Sequence, residues 1–545
     1  VSLEQAKQAV ETIESLVSQM ADGLADRVEE DGRLSRSKLD EIQPEAFNFA
    51  RSLAELEAAQ AAVRYAEDLG QDYESSLAAV YVARIVRTVL DRAQAQLADY
   101  GLDESDLEGL RGQLSFVGDT LGTSNLDKLA GELLERGTEW SGAYGLSDDH
   151  DEVRKLFGRV SDEQVAPIAE HIHREDDIIP EDLLSAYAEL GVFGISIPTE
   201  YGGSYVDNLT MCLATEELSR GSVGAGGSVI TRPEICAKAV LKGGTEEQKE
   251  KWLPPIAQGE KFVSVAVTEP NAGSDVADLR VSAKKVDGGY VINGEKTWCT
   301  FAGRADVFIL LARTGEVEDG WRGLTMFLVE KEPKISEDDH HKFEYEQEDG
   351  GRVSGTAIPT LGYRGMHSFS VSFENYFVPD ENRIGEEGNG FKLQMAGFAG
   401  GRIQTAARAV GLMEAALRSA KEYTEERQVF GKALSQFAMT RAKLVEMAAT
   451  IMASRQLTYQ VCGLLDEGEG QMEASLVKLM SCRDAEWISR EALQLHGGMG
   501  YSLEYDVSRY FVDARVLSIF EGAEEVLALS VVARTYLRNL IKERQ

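Results

Sequence analysis

The sequence predicts a mainly helical α+β fold, with a β-domain inserted between two helical blocks and a further helical module in front. Three observations predict it. Apolar residues recur at helical spacing through QAKQAVETIESLVSQMADGLADRVEE and SSLAAVYVARIVRTVLDRAQAQLADY near the N-terminus. From residue 261 the texture becomes β-branched and alternating, in KFVSVAVTEP, ADVFILLART and GLTMFLVEKE. Helical periodicity returns at about residue 384 and runs to the end. These changes set four expected domains, residues 1–148, 149–262, 263–382 and 383–545.

The first module carries no catalytic constellation, and its expected role is packing or oligomerisation. Gly70 and Gly101 mark expected helix ends. The charged joint SDDHDEVRKLF leads into a second helical block, which glycine turns such as EYGGSY interrupt. In the β-domain, the DGG at 287–289 is a hairpin signal, and VSFENYFVPDENRIG closes the region. The segment 333–355, PKISEDDHHKFEYEQEDGGRVSG, is polar and acidic. It reads as a solvated insert, with His340 and His341 beside Asp338 and Asp339 in water, and no metal is expected. The closing block begins with a long helical hairpin, FKLQMAGFAGGRIQTAARAVGLMEAALRSAKEYTEERQVF.

The 545 residues include 92 acidic and 56 basic side chains, a formal net charge of −36. Such acidity argues against nucleic acid or an anionic membrane as the main partner, and reads as an adaptation for solubility or salt. No apolar run reaches the roughly 18 residues a membrane span needs. The N-terminal residues lack the basic start and apolar core of a signal peptide. Five scattered cysteines without a CxxC pair read as free thiols in a reducing compartment, so a cytoplasmic location is expected.

Five short stretches could carry chemistry. In VTEPNAGSD, Val267 and Thr268 end a strand, Pro270 and Gly273 force a loop, and Ser274 offers a hydroxyl. Such a loop can present backbone N–H groups to a phosphate, although an ordinary β-turn uses the same residues. In NGEKTWCT, Trp298 and Thr300 stand two apart on a strand and so are expected to share a face, where they could flank a flat ring or simply be half-buried. In EERQVFGKALSQF, Arg427, Phe430 and Lys432 surround an expected helix break at Gly431. An Arg and a Phe together can take an adenine and a pyrophosphate, and cations at a helix C-terminus are also common. The glycines of QLHGGMGY permit close backbone approach. In IFEGAEEVLALS, Glu521, Glu524 and Glu525 precede an apolar helical run, where first-turn acids complement the helix dipole.

Taken together and in order, VTEPNAGSDVADL, RQVFGKALSQF, LHGGMGY and IFEG closely resemble the acyl-CoA dehydrogenase family over roughly residues 150–545. The resemblance implies a helical domain, a middle β-domain and a C-terminal four-helix domain, with FAD between the last two and near a neighbouring subunit. By the same resemblance Val267, Thr268, Gly273 and Ser274 lie beside the flavin and its pyrophosphate, and Ser274 also meets substrate. Trp298 and Thr300 flank the isoalloxazine, with Thr300 near N5. Arg427, Phe430, Gln494 and Gly498 hold the adenine end across a dimer interface. Glu521 matches the catalytic base, followed by Gly522 at the substrate. Some members carry the base on another helix, but the matching residue here is Gly401, which has no acid; Arg402 beside it resembles a residue near the base and CoA. The chain departs from the family at Ala523 and Glu525, where Thr and Gln are usual.

The implied reaction removes the proton alpha to a thioester carbonyl while the beta hydride moves to flavin, and electrons leave through an electron-transfer flavoprotein. The N-terminal extension, LGYRGMHSFSVSFENYFVP and GGRIQTAARAVG resemble members acting on a short branched substrate, so (2S)-methylsuccinyl-CoA, oxidised to mesaconyl-CoA in the ethylmalonyl-CoA pathway, is expected. Its free carboxylate calls for a basic partner, and Arg232, Arg364 and His367 are candidates by type. The position matching the glutaryl-binding arginine of the family is Gly224, which disfavours a glutaryl substrate. The alternatives are another short- or branched-chain acyl-CoA dehydrogenase, an acyl-CoA oxidase, and a non-catalytic CoA-binding protein. The expected assembly is a homo-oligomer, a dimer.

Overall fold

The computed structural model describes residues 2–332 and 339–545. It divides into two compact units, Val1–Glu152 with Thr405–Gln545, and Val153–Gln404. No helix among the described residues is long and apolar enough to cross a membrane. The five cysteines are free and buried.

The first unit is helical. Leu3–Val28 opens with a capping box, in which Ser2 accepts from the Gln5 N–H and the Gln5 side chain accepts from the Ser2 N–H. Its buried stripe includes Ile13, Leu16, Val17, Met20 and Leu24, the helical spacing read from the sequence. Gln43–Leu69 ends at Gly70, whose φ of 65° lies in the left-handed region that glycine adopts without penalty. The N-terminal helices pack directly on the C-terminal ones. Arg455, almost fully buried, donates to Ser141 Oγ at 2.7 Å and pairs with Glu414 at 3.0 Å, while Ser141 donates to the same carboxylate at 2.7 Å. Three polar groups from three segments satisfy one another where water is excluded, which fixes their register. Phe49 meets Tyr536 edge to face at 5.3 Å.

In the second unit, helices such as Ala166–Glu175, Asn208–Gly221 and Thr231–Gly243 precede a nine-stranded sheet. The strands are β1 (Val263–Ala266), β2 (Ser282–Val286), β3 (Gly289–Thr300), β4 (Val307–Arg313), β5 (Leu324–Glu330), β6 (Lys342–Glu346), β7 (Arg352–Ala357), β8 (Ser368–Pro379) and β9 (Arg383–Ile384). Their order is β9-β5-β4-β2-β3-β8-β7-β6, with β1 pairing parallel to β4. Val286 pairs with Gly289, so the expected DGG hairpin forms around Asp287 and Gly288. Phe308, Phe327, Val353 and Phe373 belong to the core on the sheet.

The acidic insert is a correction. Residues 333–338, Asp338 among them, lie outside the described residues. The rest is no solvated loop: β6 and β7 form an antiparallel hairpin, and β7 pairs with β8, extending the sheet. Phe343 and Val353 are buried in the core, and the charged Lys342 and Glu344 on either side of Phe343 face out. That alternation was present in KFEYE, but the surrounding acidity masked it.

Lys331 follows β5 and is buried, its Nζ donating to the Gly303 carbonyl at 3.2 Å and lying over the Phe343 ring. Burial pushes its pKa down to about 7, against a smaller opposing pull from Asp306. A lysine depressed in the folded state costs stability below its folded pKa, and this cost is relieved as pH rises toward the unfolded value near 10.5. Unfolding free energy is therefore expected to rise by on the order of a few kcal/mol between about pH 7 and 10 from this group. Lys331→Met should flatten that rise in denaturant titrations, and an unchanged slope would refute the assignment.

Candidate active site

The stretch from Val267 to Val281 is pinned by one buried ion pair. Lys296 is fully buried on β3 and donates to Glu269 Oε1 at 2.8 Å and to the Val267 carbonyl at 2.7 Å. Glu269 in turn accepts from the Arg280 N–H at 2.7 Å and the Val281 N–H at 2.9 Å. Burial pushes the Lys296 pKa down, and the Glu269 carboxylate acts in the opposite direction. Neither residue was singled out from the sequence. A lone Lys in a strand reads as solvent-facing, and only the pairing reveals that it points inward.

Within this loop Glu269 and Ala272 exchange backbone hydrogen bonds at 3.0 and 3.1 Å, leaving Gly273 and Ser274 exposed beyond the turn. A Cβ on Gly273 would meet nothing nearer than Thr268 Cγ2 at 3.7 Å, so the protein's own packing does not require glycine there. The Thr268 carbonyl accepts from the Thr297 N–H at 2.8 Å, which sets this strand end beside β3.

The regular strand expected at Trp298 is corrected. Pairing between β3 and β8 shifts between Phe369 and Val371, and Trp298 has a φ of 57°, the left-handed region that side chains seldom adopt. This bulge interrupts the two-residue alternation, so the shared face of Trp298 and Thr300 does not follow from their spacing. Trp298 is 54% exposed, whereas Thr300 is buried and its hydroxyl bonds the Ser368 hydroxyl at 2.9 Å.

The basic candidates differ in their company. Arg364 Nε lies 3.1 Å from Asp176 Oδ1, and His367 Nε2 lies 3.2 Å from the same oxygen, so each already has an anionic partner. Arg232 is buried and donates to the Ser228 carbonyl at 2.9 Å and the Tyr363 hydroxyl at 3.2 Å. It lines a small hollow with Phe193, Phe262, Phe301 and Met366. No carboxylate among the described residues pairs with it. At Gly224 a Cβ would sit 2.2 Å from the Arg364 carbonyl, so no side chain fits. Arg402 stands on the helix Gly390–Glu426, its guanidinium 5.9 Å from the Phe398 ring centre.

In the helical unit, the three carboxylates of 519–530 are not equivalent. Glu524 pairs with Arg483 at 2.9 Å, and Glu525 is exposed in the same first turn. Glu521 is half-buried, has a φ of 54°, and has no hydrogen-bond or ion-pair partner among the described residues. Gly522 follows with a φ of 105°, and its carbonyl accepts from the buried Lys478 ammonium at 2.7 Å. A Cβ at Gly522 would also crowd the end of the Leu527 side chain at 2.8 Å, but it is the positive φ that calls for glycine. The turn thus holds a free carboxylate on a strained, anchored backbone.

Around Phe430 the expected helix break is a two-residue β-hairpin, in which Gln428 and Val429 pair with Ala433 and Lys432. Phe430 and Gly431, with φ of 49° and 80°, form its tip, and Phe430 is 97% exposed. Arg427 precedes the hairpin and is exposed. One turn back, Tyr423 stacks on His496 at 4.3 Å, joining two helix ends. Gln494 and Gly498 flank His496 and are exposed.

Models of the acyl-CoA dehydrogenase N-terminal, middle and C-terminal domains match residues 147–260, 264–376 and 388–537. The chain belongs to the acyl-CoA dehydrogenase family and is an FAD-dependent oxidoreductase acting on an acyl-CoA. It is 45% identical over 398 residues to (2S)-methylsuccinyl-CoA dehydrogenase of Cereibacter sphaeroides, a match covering 73% of this chain and 71% of that protein. The butyryl-CoA dehydrogenase structure from Megasphaera elsdenii superposes with a TM-score of 0.66 at 34% identity, covering 72% of this chain and 99% of that one. A glutaryl-CoA dehydrogenase from Mycobacterium smegmatis in complex with FADH2 gives 0.63 at 26% identity, covering 71% and 94%. The residues fit such a cofactor. An exposed indole and an exposed phenyl leave apolar surface in water at about 25 cal/mol per Å², which a bound flavin or adenine ring would cover.

Proposed function

We propose that the chain dehydrogenates (2S)-methylsuccinyl-CoA to mesaconyl-CoA, the step this reaction occupies in the ethylmalonyl-CoA pathway. The observation that carries this reading is the 45% identity over 398 residues with the methylsuccinyl-CoA enzyme. Two features of the site support it. Arg232 is a buried guanidinium with only neutral partners, suited to the second carboxylate of this substrate. Gly224 leaves no room for the arginine that a glutaryl substrate would use.

In this reading Glu521 is the base that takes the alpha proton. Its own N–H, on the strained turn that Lys478 anchors, donates to the thioester carbonyl and stabilises the developing enolate charge. FAD, when bound, supplies the hydride acceptor, held by Val267, Thr268, Gly273, Ser274, Trp298 and Thr300, with Arg427, Phe430, Gln494 and Gly498 for its adenine end. Arg402 and Gly522 complete the substrate contacts. Electrons then pass to an electron-transfer flavoprotein, and the assembly is a homodimer, in keeping with the exposed Phe430, Tyr501 and Leu503.

The test is flavin bleaching by methylsuccinyl-, butyryl-, isovaleryl- and glutaryl-CoA. Methylsuccinyl-CoA is expected to give the highest kcat/KM. Arg232→Met should lower its kcat/KM by about tenfold or more, while butyryl-CoA oxidation changes little. Faster bleaching by butyryl- or isovaleryl-CoA in the unmodified enzyme would overturn the substrate assignment.

A further inference from the structure

Three of the chain's seven histidines converge on Asp176, far from it in sequence and within one unit. His367 Nε2 lies 3.2 Å from Asp176 Oδ1, and His341 Nε2 lies 3.3 Å from Oδ2. One ligand atom from each of Asp176, His341 and His367 falls within 4.8 Å of the others. We propose that these three residues bind a divalent cation of the zinc class, which ties the β6–β7 hairpin to the end of the helix Ala166–Glu175.

Two ligands each about 2.0–2.1 Å from a tetrahedral zinc lie about 3.3 Å apart. Each imidazole Nε2 stands near that distance from one oxygen of the Asp176 carboxylate, a different oxygen for each ring, so an ion would draw the two rings toward a shared oxygen. Two imidazoles and a carboxylate are a ligand set of borderline metals rather than of magnesium or calcium. His340, its ring centre 4.2 Å from that of His341, offers a fourth nitrogen 3.3 Å from the Asp176 carbonyl.

The surroundings are those of ligands held in place. Asp339 Oδ1 stands 3.5 Å from His341 Nδ1, on the far side of the ring from Asp176, and turns Nε2 inward. Arg364 Nε at 3.1 Å pairs with Asp176 Oδ1 and orients the carboxylate. His367 is 95% buried, with its Nε2 turned to Asp176 and its Nδ1 on the other side of the ring. Asp176 and His367 also hold left-handed φ values of 56° and 42°, a strain that persists where the neighbourhood over-determines the backbone. Asp176 and His341 are each about one-third exposed, so an ion can enter from solvent.

The consequence reaches the flavin wall without any redox role for the ion. The His367 carbonyl accepts from the Phe301 N–H at 2.8 Å, and the next residue, Ser368, holds the Thr300 hydroxyl. An ion on His367 would steady that register.

The experiment is equilibrium dialysis of the FAD-loaded 545-residue protein against zinc chloride after chelator treatment, with metal counted per chain. One zinc per chain is expected, and zinc should raise the unfolding temperature. His341→Ala and the larger His341→Gln should each weaken zinc binding at least about tenfold with FAD content retained, while His150→Ala binds as the unmodified protein does. Substoichiometric zinc, or zinc affinity in both His341 variants equal to that of the unmodified protein, would overturn the site. Neither readout depends on which acyl-CoA the enzyme oxidises.

Discussion

Glu521→Gln is expected to lower kcat by about 10³-fold or more while leaving FAD bound. A positioned general base contributes typically about 10²–10⁴ to a proton transfer, and glutamine is a near-isostere without the basic oxygen. The fold should tolerate the change, because the Glu521 carboxylate has no partner to lose among the described residues. Stopped-flow flavin reduction under anaerobic conditions, with the flavin-to-protein ratio as the control, reads both halves of the expectation. Glu524→Gln is the internal contrast. It breaks the pair with Arg483 at 2.9 Å, a part-exposed interaction worth about 1 kcal/mol or less, and should leave kcat within a few-fold. Wild-type bleaching in the Glu521 variant would remove this residue from the chemistry.

Lys296→Met should destabilise the second unit by about 3–5 kcal/mol, because it strands the buried Glu269 carboxylate without its cation. The two backbone N–H donors at Arg280 and Val281 remain, but they do not replace a full charge. The same change should loosen the 267–281 loop and weaken FAD affinity. Adding Glu269→Gln should recover part of the loss, since removing both charges costs less than removing one. Denaturant unfolding and FAD titration of the three variants measure the cycle. A double variant no more stable than Lys296→Met would show that the pair is not the cause.

Much of the architecture was legible because it rests on local pattern. The helical stripe of Leu3–Val28, the left-handed cap at Gly70 and the Asp287-Gly288 turn each follow from short-range sterics and periodicity. The family resemblance drew its force from several motifs in fixed order. The errors share another physical origin. The Trp298 bulge needs a partner strand with a shifted register, which no window around Trp298 contains. The β6–β7 hairpin was obscured by charges that turn out to face away from a buried Phe343 and Val353.

The sequence by itself determined the family and most of the helices and strands, and it singled out Glu521 as the expected base, since these readings depend on residue type and order. Tertiary structure alone decided which charges are already spent. It gave Glu524 its arginine and left Glu521 without a partner among the described residues. It turned Arg364 and His367 to Asp176 and left Arg232 with neutral company. It also carried His341 across the unit to Asp176, a residue with nothing in its own neighbourhood to announce it. The reason is range: propensity acts over a few residues, whereas the partner of a buried charge is set by which distant segments the core brings within about 4 Å.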